Sequence, residues 1–375
     1  MPGSFDGFND TAVLDGGSAV PTITLDSAAG HIAALTFDRA ARYTLVAGAG
    51  GWLGLENGAN LGILTAVNGG ALSAPNGISL GVGCNLSGSG AVNAKIAAGF
   101  GSTILAMGDL LLGNPASSVG FASDGELYVG ANTVTIADAN DAVLGSLTRL
   151  GDGAGGGRLI AATANPASSQ VNFLLNAGKN LEGRGVVSGN FRNHGHVAGD
   201  GTSLDARIVF DGPWTVSGDG TFENTLVLGT FAPGNSPGVV NGTSQGFGGA
   251  LQFELGGTTP GFGDGHYDQV SDSAAIVLTG AATLSILPWN GFVPTPGQEF
   301  EIMTWQSGLS GTFGSVQVDP WFTSHGISFN VAYHNVAGAG DLTITAVPEP
   351  STLVLLGALA VGLLVCLGRR GLRRP

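Results

Sequence analysis

Apolar and polar residues alternate in short runs along most of this chain. Thr22-Ile23-Thr24-Leu25 and Thr133-Val134-Thr135-Ile136 are clear cases. A period of two puts one set of side chains into a core and the other into solvent, which is the strand pattern. Further strands are predicted at Asp10–Leu14, Ala33–Phe37, Tyr43–Val46, Ile63–Val67, Val171–Leu175, Val186–Val187 and Arg207–Phe210. Turn pairs lie between the runs, at Asn57-Gly58, Asn68-Gly69, Asn76-Gly77, Asp124-Gly125 and Asp219-Gly220. Such pairs supply the positive φ that tight turns need. Amphipathic helical periodicity is scarce, and Ala137–Leu150 is read as strand and loop. The pattern predicts an all-β fold, a right-handed β-solenoid (β-helix) in which small residues fit the corners and coils stack on one another. No fixed repeat length is visible. An array of β-sandwiches is the alternative.

The alternation stops near the end. Ser351–Gly368 is an uncharged, mostly apolar run of 18 residues, followed by Arg369, Arg370, Arg373 and Arg374. As a helix it would rise about 27 Å, close to the hydrocarbon thickness of a bilayer. Basic residues at one end stay cytoplasmic, so the pattern predicts a C-terminal transmembrane helix with the body outside. Pro348 and Pro350 suit an extended entry to that helix.

Composition sharpens the picture. The chain holds 66 glycines, 43% hydrophobic residues and only 11% charged ones. That is a turn-rich folded protein rather than a disordered one. The net charge is −14, and four of the arginines sit in the tail. The body is therefore strongly acidic and repels nucleic acid, whose phosphates need Lys and Arg. The two cysteines, Cys84 in the body and Cys366 in the apolar run, offer no internal disulfide. The opening MPGSFDGFND has neither a basic nor an apolar leader region. An exported, tail-anchored protein needs one, so the expectation is that the true start lies upstream.

Val347-Pro348-Glu349-Pro350, the apolar run and the arginine cluster, in that order, resemble the PEP-CTERM sorting signal of exopolysaccharide-producing Gram-negative bacteria. The resemblance implies recognition by an exosortase-type membrane protease, processing near Pro348–Pro350, a precursor held in the inner membrane, and delivery to the cell surface or extracellular matrix. Exopolysaccharide is then a candidate partner. Asp10-Thr11-Ala12, Leu35-Thr36-Phe37 and Tyr43-Thr44-Leu45 resemble the autotransporter-associated β-strand repeat. Ala232–Gly238 (APGNSPG) followed by Tyr267-Asp268-Gln269 is similar to the β-rich region that precedes such signals. The expected division is 1–184 solenoid, 185–346 C-terminal β-rich region and 347–375 sorting signal.

Candidate chemistry is thin. Gly77–Gly81, Gly234–Gly238 and Gly242–Gly246 match G-x-S-x-G, which needs a strand, a sharp turn and a helix around the serine. Pro237 has no N–H to offer an oxyanion after Ser236. His194 and His196, with Asp200 nearby, are of metal-ligand type; an exposed turn is the plainer reading. Gly155–Gly157 lacks the Lys-Ser/Thr of a phosphate loop, and Gly256–Gly265 lacks the repeat of a calcium coil. Trp289, Trp305 and Trp321 are either core residues or sugar-stacking platforms. Asp138 and Asp141 are the nearest carboxylate pair, without a basic partner for lyase chemistry. No catalytic, cofactor or metal residue is assigned. The expected function is a non-enzymatic structural or adhesive surface protein; the alternative is a polysaccharide-binding or polysaccharide-cleaving β-helix.

Overall fold

A computed structural model describes the backbone of strands Thr11–Asp15, Thr22–Leu25, Ala29–Ile32, Ala34–Asp38, Thr44–Ala47 and Trp52–Leu55. It then describes residues 63–349 except 84, 114–120, 138–140, 163–169 and 235, with side chains at 78 and from 80 onward. The expected membrane run and its arginines lie outside these residues, as does Asp138. Among the described residues no helix is long and apolar enough to cross a membrane.

The fold is all-β and mostly parallel, in the manner of a β-helix. Each strand pairs with the equivalent strand of the next coil, so three parallel sheets run side by side. On the first, Leu86 pairs with Ile104, Leu127, Thr148, Leu181, Val197 and Phe222 in successive steps. On the second, Val134 leads to Leu159, Val187, Phe210, Val227 and Phe247. On the third, Phe173 leads to Phe191, Val216, Phe231 and Leu251. The named residues all point inward and all are buried. Their neighbours point out, giving the burial alternation seen at Glu126–Gly130 and Thr133–Ile136.

Pairing is strict while spacing is not. Thr148 pairs with Leu181, yet Leu181 pairs with Val197. The loops at the corners differ in length, which is why no period shows in the sequence. Ala137–Leu150 resolves into strands Ala142–Leu144 and Leu147–Leu150. Along the axis the three faces meet in a run of rings. Phe191, Phe210, Phe222, Phe231 and Phe247 follow one another with centroids 5.1, 6.2, 5.5 and 5.1 Å apart. Each buried ring contributes about 1.5–3 kcal/mol of transfer free energy.

The C-terminal end is closed differently. Strand Gly340–Pro348 lies antiparallel to Glu299–Trp305, the last strand of the first sheet, and to Ile327–His334 on its other side. A short helix, Pro320–Ser324, precedes this hairpin, with the Asp319 carboxylate accepting the Trp321 N–H at 2.8 Å. Phe322 packs edge-on against Phe329 at 5.1 Å. The cap covers a sheet edge that would otherwise offer free N–H and C=O groups.

Candidate functional site

An open groove of about 540 Å³ lies on the outer side of the first sheet. Strand pairing builds it as two ladders. One runs His196, Thr221, Asn241 and Ser271, and continues past the groove to Thr304; the other runs Glu223, Thr243 and on to Ser273. Neighbouring rungs lie about 4.8 Å apart. His196 Nδ1 is 2.6 Å from Thr221 Oγ1, and its Nε2 is 3.8 Å from Glu223 Oε2. Thr243 Oγ1 and Ser273 Oγ are 2.7 Å apart, and Thr304 Oγ1 donates to Ser271 Oγ at 3.1 Å. The lining is thus largely uncharged hydroxyl and amide groups, with one histidine–glutamate pair at one end.

The floor of the groove is polar as well. Asp272 faces inward and is 1% exposed. Its carboxylate accepts the N–H groups of Ser244, Gln245 and Ala274 at 3.0, 3.0 and 2.7 Å. Burial raises its pKa, against the pull of those N–H groups and of Arg207. Arg207 donates to the Thr202 and Thr225 carbonyls. The Gln245 side chain occupies the space that Gly242 leaves open, since a Cβ on Gly242 would lie 1.4 Å from its Nε2.

The two C-terminal motifs form one structural unit. Asp268 of the Tyr267-Asp268-Gln269 element accepts the Gly238 N–H, at the end of Ala232–Gly238, and the Glu254 N–H, both at 2.6 Å. Burial pushes the Asp268 carboxyl up to about 8, opposed by those two donors. Glu254 is raised by the same cause, and Ser236 hydrogen-bonds to it.

The other candidates disperse. His194 Nδ1 lies 2.5 Å from Asp219 Oδ1 at a turn, while His196 enters the groove and Asp200 pairs with Arg184 at 3.0 Å. Among the described residues no cluster of metal-ligating side chains forms. Ser79 lies within strand Ile63–Leu80, and Ser236 and Ser244 sit at turns with φ of 56° and 57°. The described helices, Leu204–Ala206 and Pro320–Ser324, follow none of these serines, so the strand–turn–helix elbow is not formed there. Asp152 takes the N–H groups of Ala154 and Gly155, which occupies the glycine-rich loop internally. Asp264 is bound to Trp289 Nε1 at 2.9 Å and to Asn290. Trp305 is wholly buried, a core residue; Trp321 stays partly exposed beside His325. The groove ladders carried no sequence signal, because register across coils is set by loops of unequal length.

At the far end of the cap the geometry meets the sorting motif. Val347 lies opposite Ser328 and Pro348 opposite Ile327, and the Glu349 N–H donates to the Gly326 carbonyl at 2.8 Å. Pro350 and the arginines lie beyond the described residues. A family model for the PEP-CTERM protein-sorting motif matches residues 346–374. No curated protein matches the chain. This signal implies exosortase-dependent sorting of an exported protein to the cell surface or extracellular space.

Proposed function

We propose that this protein is a non-enzymatic structural or adhesive component of the cell surface or extracellular matrix. The observation that carries the reading is the sorting motif at 346–374 joined directly to a β-helical body. In this reading the apolar run holds a precursor in the inner membrane, with Arg369, Arg370, Arg373 and Arg374 inside. The exosortase-type protease then releases the body. The coils wind right-handed, as connections between parallel strands nearly always do. The first strands belong to an autotransporter-type repeat, and an acidic rod makes weak multivalent contacts. Pro348→Ala and Glu349→Ala should abolish surface display, read by whole-cell labelling; unchanged display removes the sorting part.

A second reading is polysaccharide binding, favoured by the groove. Its hydroxyl and amide ladders repeat along the direction in which coils stack, which suits a chain of repeating hydroxyls. Titration with a glycan panel, comparing the wild type with Asn241→Ala and Thr243→Ala, tests it. Equal affinities, or no binding at all, would dismiss it, and unsaturated products would mark cleavage instead.

A further inference from the structure

We infer that the folded body and the processing protease compete for the same backbone, Val347–Glu349, so the cap strand must peel away, or not yet have formed, before the signal is engaged. This rests on the sorting reading above. The motif match begins at Ala346, but strand Gly340–Pro348 continues through its first three residues. Ala346 is wholly buried. Its N–H donates to the Gln298 carbonyl at 2.8 Å and its carbonyl accepts the Gly297 N–H at 2.8 Å. No spacer separates body from signal.

A bound peptide is commonly held in extended form through its own N–H and C=O groups. Here the stretch 347–349 is already engaged with 326–328. The side chains of Pro348 and Glu349 are exposed, so the motif can be met on the folded body before its backbone is free. The hold is local. Bonding to the solenoid side ends at Ala346, one residue past the register pair Glu299–Thr345, and from Val347 onward the strand register continues on one side alone, against Ser328 and Ile327. Such an end opens at far lower free energy than the core.

Two measurements on the full-length chain test this. In detergent micelles, hydrogen exchange at the Glu349 amide should be slowed at least tenfold relative to a free peptide of the same sequence. Exchange at the free-peptide rate, with the Phe329 amide protected, overturns the inference. In cells carrying the sorting machinery, Asn330→Cys with Thr345→Cys pins the strand from outside the motif, since these residues face each other. Opposed antiparallel residues fall within disulfide reach. Processing should drop at least tenfold when the pair is oxidised and recover on reduction. Each single variant controls for pairing with Cys84 or Cys366. Equal processing in both redox states overturns the inference. If no form is processed even when reduced, the sorting reading fails instead, and the exchange result decides the inference by itself.

Discussion

The Asp268 carboxylate accepts the Gly238 N–H at 2.6 Å, joining two motifs that lie on successive coils. Its other oxygen accepts the Glu254 N–H. Asp268→Ala leaves both donors, one buried and one partly buried, without their acceptor. At about 1–3 kcal/mol for each orphaned group, the loss should be about 2–6 kcal/mol. Urea unfolding followed by tryptophan fluorescence reads it, and an unchanged midpoint would refute this role.

The same residue gives a pH dependence. Its folded pKa, about 8, stands above the ordinary carboxylate value, so the folded state holds a proton that the unfolded state has released. Stability from this group is therefore full below about pH 4 and is lost as pH rises toward 8. The urea midpoint should fall between pH 5 and pH 8, and Asp268→Asn should flatten that fall. Parallel curves for the two proteins would count against it.

Phe222 lies between Phe210 and Phe231 on the axis, with centroids 6.2 and 5.5 Å away. Phe222→Ala should cost about 3–5 kcal/mol through the cavity left behind. Phe222→Leu should cost clearly less. A similar thermal midpoint for both variants would contradict a packed ring column.

Gly183 and Gly178 separate conformational strain from collision. Both have positive φ, 106° and 74°. A Cβ on Gly183 would lie 2.0 Å from the Leu150 carbonyl oxygen, whereas one on Gly178 meets nothing within 4 Å. Gly178→Ala should cost about 1–2 kcal/mol, the price of a left-handed residue. Gly183→Ala should cost more, because neighbouring coils must separate. Equal melting temperatures would show that the coil tolerates the collision.

Much of the fold was legible in side-chain alternation. Thr133-Val134-Thr135-Ile136 is a strand as expected, and Val171–Leu175 holds the shorter strand Phe173–Leu175; both strands send alternate residues inward. What stayed hidden was the partnering. Nothing local to Thr221 or Asn241 says that they stand side by side, because the loops between coils set that register. The Asp268 clamp was half visible: its two motifs could be seen, but not the hydrogen bond that makes them one. Buried Asp272 gave no sign either, since its acceptors serve turn N–H groups of the coil before and of its own.

Coils that match by backbone pairing while their corners vary have no built-in ruler. A whole turn can be inserted or deleted without re-cutting the others, each touching its immediate neighbours. The length of such a body is therefore a quantity that gene duplication can adjust in single steps, leaving the closing hairpin and the sorting motif behind it unaltered.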